Sequence, residues 1–138
     1  MVVDNGQVTD VDEPRPAVSW RRLDPTSPQL DVAARTFSLL AAPVRLHLVA
    51  LAAEGEYDVG TLAERVGVSI ATASQHLSKL RLAGIISATR DGRRQIYVVN
   101  DPHVLTLVHQ IFEHIAPDGS LAPDPPLEQS LAAQISGD

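Results

Sequence analysis

Leu62-Ala-Glu-Arg-Val-Gly67-Val-Ser69-Ile70-Ala71-Thr72-Ala73-Ser74-Gln75-His76-Leu77-Ser-Lys79-Leu80-Arg81-Leu-Ala83-Gly84 is the stretch that decides the fold. It reads as two short helices around a tight turn. The first spans about Val59 to Val66 and stops at Gly67; the second runs from Ile70 to Ala83, with Ser69 as N-cap and Gly84 at its C-terminal side. Two short helices joined by a glycine-containing turn form a helix-turn-helix. In the second helix Ile70, Ala73, Leu77, Leu80 and Ala83 recur at helical spacing and are expected in the core. Ser69, Ala71, Thr72, Ser74, Gln75, Ser78 and Lys79 are left for solvent or a ligand.

Outward from this pair, Ile86–Arg90 and Gln95–Val99 flank Asp91-Gly92, a strong hairpin signal. Upstream, Pro43 opens a helix that runs to Glu54 and closes at Gly55, with Val44, Leu48 and Leu51 on its apolar side. Before it, Ser27 as N-cap and Pro28 at the first turn start a helix through Leu40, with Leu30, Ala33, Ala34, Phe37 and Leu40 on one face. Downstream, Asp101 caps and Pro102 starts a last helix that ends near Ala116-Pro117. The expected fold is mainly α with a two-stranded β wing: a winged helix-turn-helix, forming a homodimer through terminal helices with unused apolar faces. Residues 1–26, rich in proline and carboxylates, read as a disordered or loosely packed arm in which Trp20 packs against the body. Residues 27–116 form the DNA-binding and dimerisation domain. Residues 117–138 are a Pro-rich tail that can hold a short helix around Leu127–Ile135.

Composition narrows the chemistry. The chain has 138 residues, no cysteine and a net charge of −6. Without thiols, disulfides and thiolate metal sites are excluded, which leaves oxygen and imidazole as ligands. No run of eighteen apolar residues exists to span a membrane, and no basic-then-apolar leader is present, so the expected location is the cytoplasm. The acidic total hides a local excess of the other sign. From Ser69 to Asn100 the basic residues Lys79, Arg81, Arg90, Arg93 and Arg94 face one acid, Asp91. Distribution, rather than sum, governs nucleic-acid binding.

The second helix of the pair suits the major groove of double-stranded DNA. Ser69, Ala71, Thr72 and Ser74 are small enough to approach base edges, and Gln75 can pair bidentately with adenine. Lys79 and Arg81 would hold phosphates. On the wing, Arg90, Arg93 and Arg94 are placed for phosphates or a narrow minor groove. Taken alone, serines and threonines on a helix simply make a solvated face; the cationic hairpin beside them is what favours DNA.

The last helix carries a second pattern. His103 and His114 are eleven residues apart, which brings both rings to one face but separates them by roughly 16 Å along the axis. A metal held at about 2.0–2.1 Å by nitrogen cannot touch both. An antiparallel partner helix would bring the Asp101/His103 end of one protomer to the His114 end of the other, forming two symmetric sites. His109 lies some 120° from that face and reads as a solvent or interface residue. His47 is expected in the core, and His76 is expected to pack or touch phosphate. Aspartate before proline would serve as an N-cap in any case, so Asp101 gains meaning as a ligand only beside the two histidines.

The runs Leu40-Ala-Ala-Pro43-Val-Arg45-Leu-His-Leu, Leu62-Ala-Glu-Arg-Val-Gly67-Val-Ser and Ala73-Ser-Gln-His76-Leu-Ser-Lys-Leu80-Arg-Leu-Ala-Gly84-Ile resemble the arsenic-repressor (ArsR/SmtB) family, and Arg90-Asp-Gly-Arg93-Arg-Gln-Ile-Tyr97 is similar to its wing. The resemblance covers about residues 28 to 116. It implies a homodimeric transcriptional repressor that leaves its operator when an inducer binds, with Ser74 and Gln75 among the DNA contacts. Members that sense zinc, nickel or cobalt on the last helix carry Asp-x-His, ten residues, His, then two residues and His or Glu. Asp101, His103 and His114 match the first three positions. The fourth falls on Pro117, which cannot ligate; Asp118 or water can take its place. Tyr57 and Val59 stand where other members carry cysteines, so thiolate sensing of arsenic, cadmium or lead is excluded.

The expected function is therefore metal-responsive repression, with zinc favoured and nickel or cobalt as alternatives. A winged-helix repressor controlled by a non-metal signal or by a protein partner is the first rival. A zinc hydrolase is the second, but the chain lacks a His-Glu-x-x-His run and a base beside the site.

Overall fold

Capping and apolar spacing place five helices in the computed structural model, which describes residues 24–123. They are α1 (Ser27–Leu40), α2 (Pro43–Glu54), α3 (Val59–Val66), α4 (Ile70–Leu82) and α5 (Pro102–Glu113). Three strands complete the set: β1 (Tyr57–Asp58), β2 (Ser87–Asp91) and β3 (Arg94–Val98). Trp20 and the expected helix around Leu127–Ile135 lie outside the described residues. Among those residues no single helix is long and apolar enough to cross a membrane.

Local chemistry accounts for most of the boundaries. Thr26, rather than Ser27, caps α1: its hydroxyl accepts from Gln29 N–H at 3.2 Å while the Gln29 side chain accepts from Thr26 N–H at 2.9 Å. That reciprocal capping box requires Gln at the third helical position, which fixes the start one residue earlier. Pro43 opens α2, and α1 and α2 meet at 94°. The Arg45 guanidinium holds the corner, donating to the Leu39 carbonyl at 2.7 Å. Asp58 caps α3 and Gly67 ends it at φ +85°, a left-handed conformation that favours glycine. Ser69 caps α4, accepting from Thr72 N–H at 3.0 Å.

The core lies among α2, α3, α4 and the start of the wing. Leu48, Val49, Leu62, Ala73, Leu77 and Leu80 are fully buried there, with Ile85, Ile86, Tyr97, Val99 and Val108 around them. Two residues expected in that core are outside it. Ile70 is 57% exposed and Ala83 is exposed as well, because they sit at the two ends of α4, past the neighbours that cover its middle. His47, expected to be buried, is also exposed.

The wing has a third strand that the sequence pattern missed. β3 pairs antiparallel with β2 (Asp91 opposite Arg94, Ser87 opposite Val98) and with the two-residue β1 (Tyr57 opposite Tyr97, Asp58 opposite Ile96). The hairpin loop is Gly92-Arg93, one residue later than Asp91-Gly92, and Gly92 has φ +65° as a tight two-residue hairpin requires. β1 joins the wing to α3, and the Val99 N–H donates to the Ala52 carbonyl, joining it to α2.

The last helix ends at Glu113, with His114 as its C-cap, three residues before the expected Ala116-Pro117. The chain then reverses: Ile115 bridges Leu121, and Ala122 N–H donates to the His114 carbonyl at 2.9 Å. Gly119, at φ +91°, sits in that turn.

Candidate functional site

Two surfaces carry the expected chemistry. The first is the outer side of α4 with the wing. The cap that starts α4 engages both hydroxyls at its mouth: Ser69 Oγ accepts from Thr72 N–H at 3.0 Å and donates to Thr72 Oγ1 at 2.9 Å, while the Thr72 O–H keeps its own proton to donate. Those two residues therefore shape the helix start. Ala71 and Gln75 are exposed one turn apart, Ser74 is half-buried between them, and Ser78 and Lys79 are exposed further along. α4 has no acidic residue to repel a polyanion.

On the wing, Arg90 and Arg93 are exposed and make no ion pair among the described residues. Arg94 differs. Its Nε donates to Asp58 Oδ2 at 3.0 Å, so the side chain straps β3 to the cap of α3. Asp58 is held below the usual carboxylate range, first by the Thr61 backbone N–H and also by the Arg94 charge. Sequence reasoning missed Asp58 as a site-building residue. Its position, an aspartate directly before an eight-residue helix, was the available signal.

His76 faces inward from α4. Its Nδ1 is buried with no hydrogen-bond partner among the described residues. Desolvation lowers its pKa, and the Arg45 and Lys79 charges add to the effect, so the ring favours its neutral form.

The second surface is α5. Asp101 Oδ1 accepts from the His103 N–H at 2.8 Å and lies 3.2 Å from His103 Nδ1. The cap therefore brings carboxylate and imidazole together, and the His103 side chain is 96% exposed. The same backbone N–H is the main reason Asp101 stays ionised below the usual range. His114 sits at the opposite end of α5, exposed at the C-cap. Asp118 lies in the reversing turn, where its Oδ1 accepts from the Ser120 hydroxyl at 2.7 Å and the Ser120 N–H at 3.0 Å. The Ser120 hydroxyl is the leading cause of its lowered pKa. Asp101 and His103 are thus adjacent, while His114 is a helix length away. Among the described residues, no three His, Asp or Glu side chains of one protomer converge to hold a metal.

His109 belongs to neither end. Its Nε2 is 2.8 Å from Glu54 Oε2, linking the middle of α5 to the end of α2. Ala50, Glu54, Val108, His109, Phe112 and Glu113 line an open groove of about 320 Å³ between these helices. The pair spans 55 positions of sequence, and no local pattern announces it.

Comparison with known proteins agrees with this architecture. Residues 42–88, from the α2 start into β2, match the family model described as bacterial regulatory protein, arsR family. The chain is 39% identical over 94 residues to a probable mercury resistance operon repressor of Streptomyces lividans, covering 68% of this chain and 74% of that protein. It is 34% identical over 89 residues to the transcriptional repressor SmtB of Mycobacterium tuberculosis, covering 64% and 66% respectively. The solution structure of a homodimeric winged helix-turn-helix DNA-binding domain from Mycobacterium bovis, a possible ArsR-family regulator, superposes with a TM-score of 0.59 at 34% identity, covering 62% of this chain and 80% of that one. The chain therefore belongs to the ArsR family of winged helix-turn-helix transcriptional regulators, which are DNA-binding proteins and not enzymes.

Proposed function

We propose that this regulator represses transcription as a homodimer on operator DNA and leaves it when a divalent cation binds between the two α5 helices. Residues 27–116 form the working domain in this reading, with 1–26 and 117–138 as appendages. The observation that carries it is the split ligand set: Asp101 and His103 within 3.2 Å at one end of α5, and His114 at the other. One protomer cannot close such a site, since the ends are roughly 16 Å apart by helical rise. Two protomers related by a two-fold axis can close two. The exposed apolar residues Leu30, Val32 and Phe37 on α1 and Ile111 and Phe112 on α5 supply a surface for that pairing.

The donors fit a cation of intermediate softness. One ionised carboxylate and two imidazoles, completed by Asp118 or water, suit tetrahedral zinc, and nickel or cobalt with added ligands. Mercury, a soft ion that prefers thiolate sulfur, does not fit a chain without cysteine. A cation held there would supply a cross-link between protomers. Within each protomer, α5 is tied to α2 by His109–Glu54 and by buried Val108, and α2 packs against α4. A change in the angle between the α5 helices is thereby passed to the recognition helices, which must stand about 34 Å apart to enter successive major-groove turns. Coupling of this kind is typically about 1–3 kcal/mol and reciprocal. On the DNA side, Ser74, Gln75 and Ala71 face base edges; Lys79, Arg81, Arg90 and Arg93 face phosphates; Ser69, Thr72 and Arg94 hold the helix start and the wing in place.

The test is release of operator DNA, metal by metal, by the wild type and by His103→Ala and His114→Ala. The reading requires both variants to bind DNA as the wild type does and to lose release by zinc. Normal release of either variant by zinc, nickel and cobalt refutes it. Control by a non-metal signal or a protein partner is the second reading, favoured by Pro117 at the position where a fourth ligand is expected.

A further inference from the structure

Ile70 is in an unusual place for an isoleucine. Seven residues before Leu77, it lies about 20° from that buried side chain around the helix axis. Its period is therefore that of the core, yet 57% of it is exposed while Ala73, Leu77 and Leu80 are wholly buried. It is the first residue of α4, directly after the Ser69 cap that fixes the local backbone. Being β-branched, it has little rotamer freedom to lose, so its methyl groups present a set surface. Ala71, Ser74 and Ser78 lie within about 100° of it around the same helix, making one small-residue flank.

The fixed charge that α4 itself carries is of one sign. The ionisable residues on α4, His76 aside, are Lys79 and Arg81, about 14 and 16 Å along the axis from Ile70; exposed Arg90 and Arg93 stand on the wing, and exposed Glu64 and Arg65 on α3 precede the turn. If α4 faces DNA, the partner for Ile70 is an apolar group embedded in a polyanion. The 5-methyl group of thymine, projecting into the major groove between two rows of phosphates, is such a group. We infer that Ile70 is a specificity-determining residue that packs against a thymine methyl beside the base edges facing Ser74 and Gln75. The inference rests on α4 being the DNA-facing helix. Ile70 then fixes a thymine in each half-site by apolar contact alone, where Ser74 and Gln75 act by hydrogen bonding.

The test uses the full chain and a duplex selected by it from a random pool. Each thymine is replaced in turn by deoxyuridine, which removes the methyl and keeps every hydrogen-bonding group. Burial of one methyl corresponds to about fourfold in Kd, the equivalent of ~0.8 kcal/mol. The expected result is one position per half-site where uracil weakens wild-type binding about fourfold. Ile70→Ala should bind the thymine duplex correspondingly less tightly and be indifferent to uracil there, and Ile70→Gln, reselected, should no longer prefer thymine at that position. Uniform indifference of the wild type to uracil overturns the inference, as does full uracil sensitivity in Ile70→Ala. A pool that yields no enriched duplex overturns the DNA-facing assignment of α4, and the inference with it.

Discussion

The wing arginines should separate in a salt titration. Lys79, Arg81, Arg90 and Arg93 are exposed and make no ion pair among the described residues, whereas Arg94 is committed to Asp58 at 3.0 Å. Four available cations per protomer give about eight phosphate contacts in a dimer, hence a slope of log K against log salt of about −7.2. Between 50 and 200 mM salt that slope means a loss of roughly 20,000-fold in affinity. Arg93→Ala removes about two contacts per dimer, flattening the slope to about −5.4 and the loss to roughly 2000-fold. Arg94→Ala should leave the slope at about −7.2 and act instead by loosening the wing, lowering affinity by a similar factor at every salt concentration. Fluorescence anisotropy on a selected operator reads both quantities. An unchanged slope for Arg93→Ala, or a drop for Arg94→Ala as large as that for Arg93→Ala, refutes the division of labour.

Two further outcomes follow from packing and ionisation. Leu77 is fully buried at the centre of the core, so Leu77→Ala should cost about 2–5 kcal/mol of stability, seen as a lower urea midpoint. His76 has its pKa lowered in the fold, mainly by desolvation, relative to an unfolded value of about 6.5. The unfolded chain then binds the extra proton more readily, so the contribution of His76 to stability is full above about pH 6.5 and declines as pH falls toward the lowered folded value. Urea unfolding of the wild type and of His76→Gln across pH 5–8 should show a flatter profile for the variant. Parallel profiles would contradict the assignment.

The features legible in the sequence are those set by local chemistry. Ser69, Gly67, Pro43 and the Asp101-Pro102 pair mark helix ends because a cap, a positive φ or a missing N–H acts within one turn. Periodicity located the buried middle of α4 but could not say where the neighbours stop, and for that reason Ile70 and Ala83 were misassigned to the core. The two residues of β1 are too few to show a period, and they exist as a strand only because β3 offers them partners. The reversal at residues 114–122 depends on Ile115 meeting Leu121 and on a carbonyl meeting an N–H eight residues away, so α5 ends earlier than its apolar pattern suggests. At the site, the Asp101–His103 contact was readable as a capping geometry. The His109–Glu54 link and the Arg94–Asp58 strap were not, because each joins residues distant in sequence.

The central claim, that the cation site is shared between protomers, is tested most directly by a mixed dimer. One protomer carries His103→Ala and the other His114→Ala, distinguished by tags and purified as the heterodimer. In the shared arrangement both lesions fall in one site and the second site is intact, so the mixed dimer should bind one zinc per dimer with wild-type affinity, while each homodimeric variant binds none at that affinity. Sites closed within single protomers would leave a lesion in every one, and a mixed dimer that binds no zinc would contradict the account.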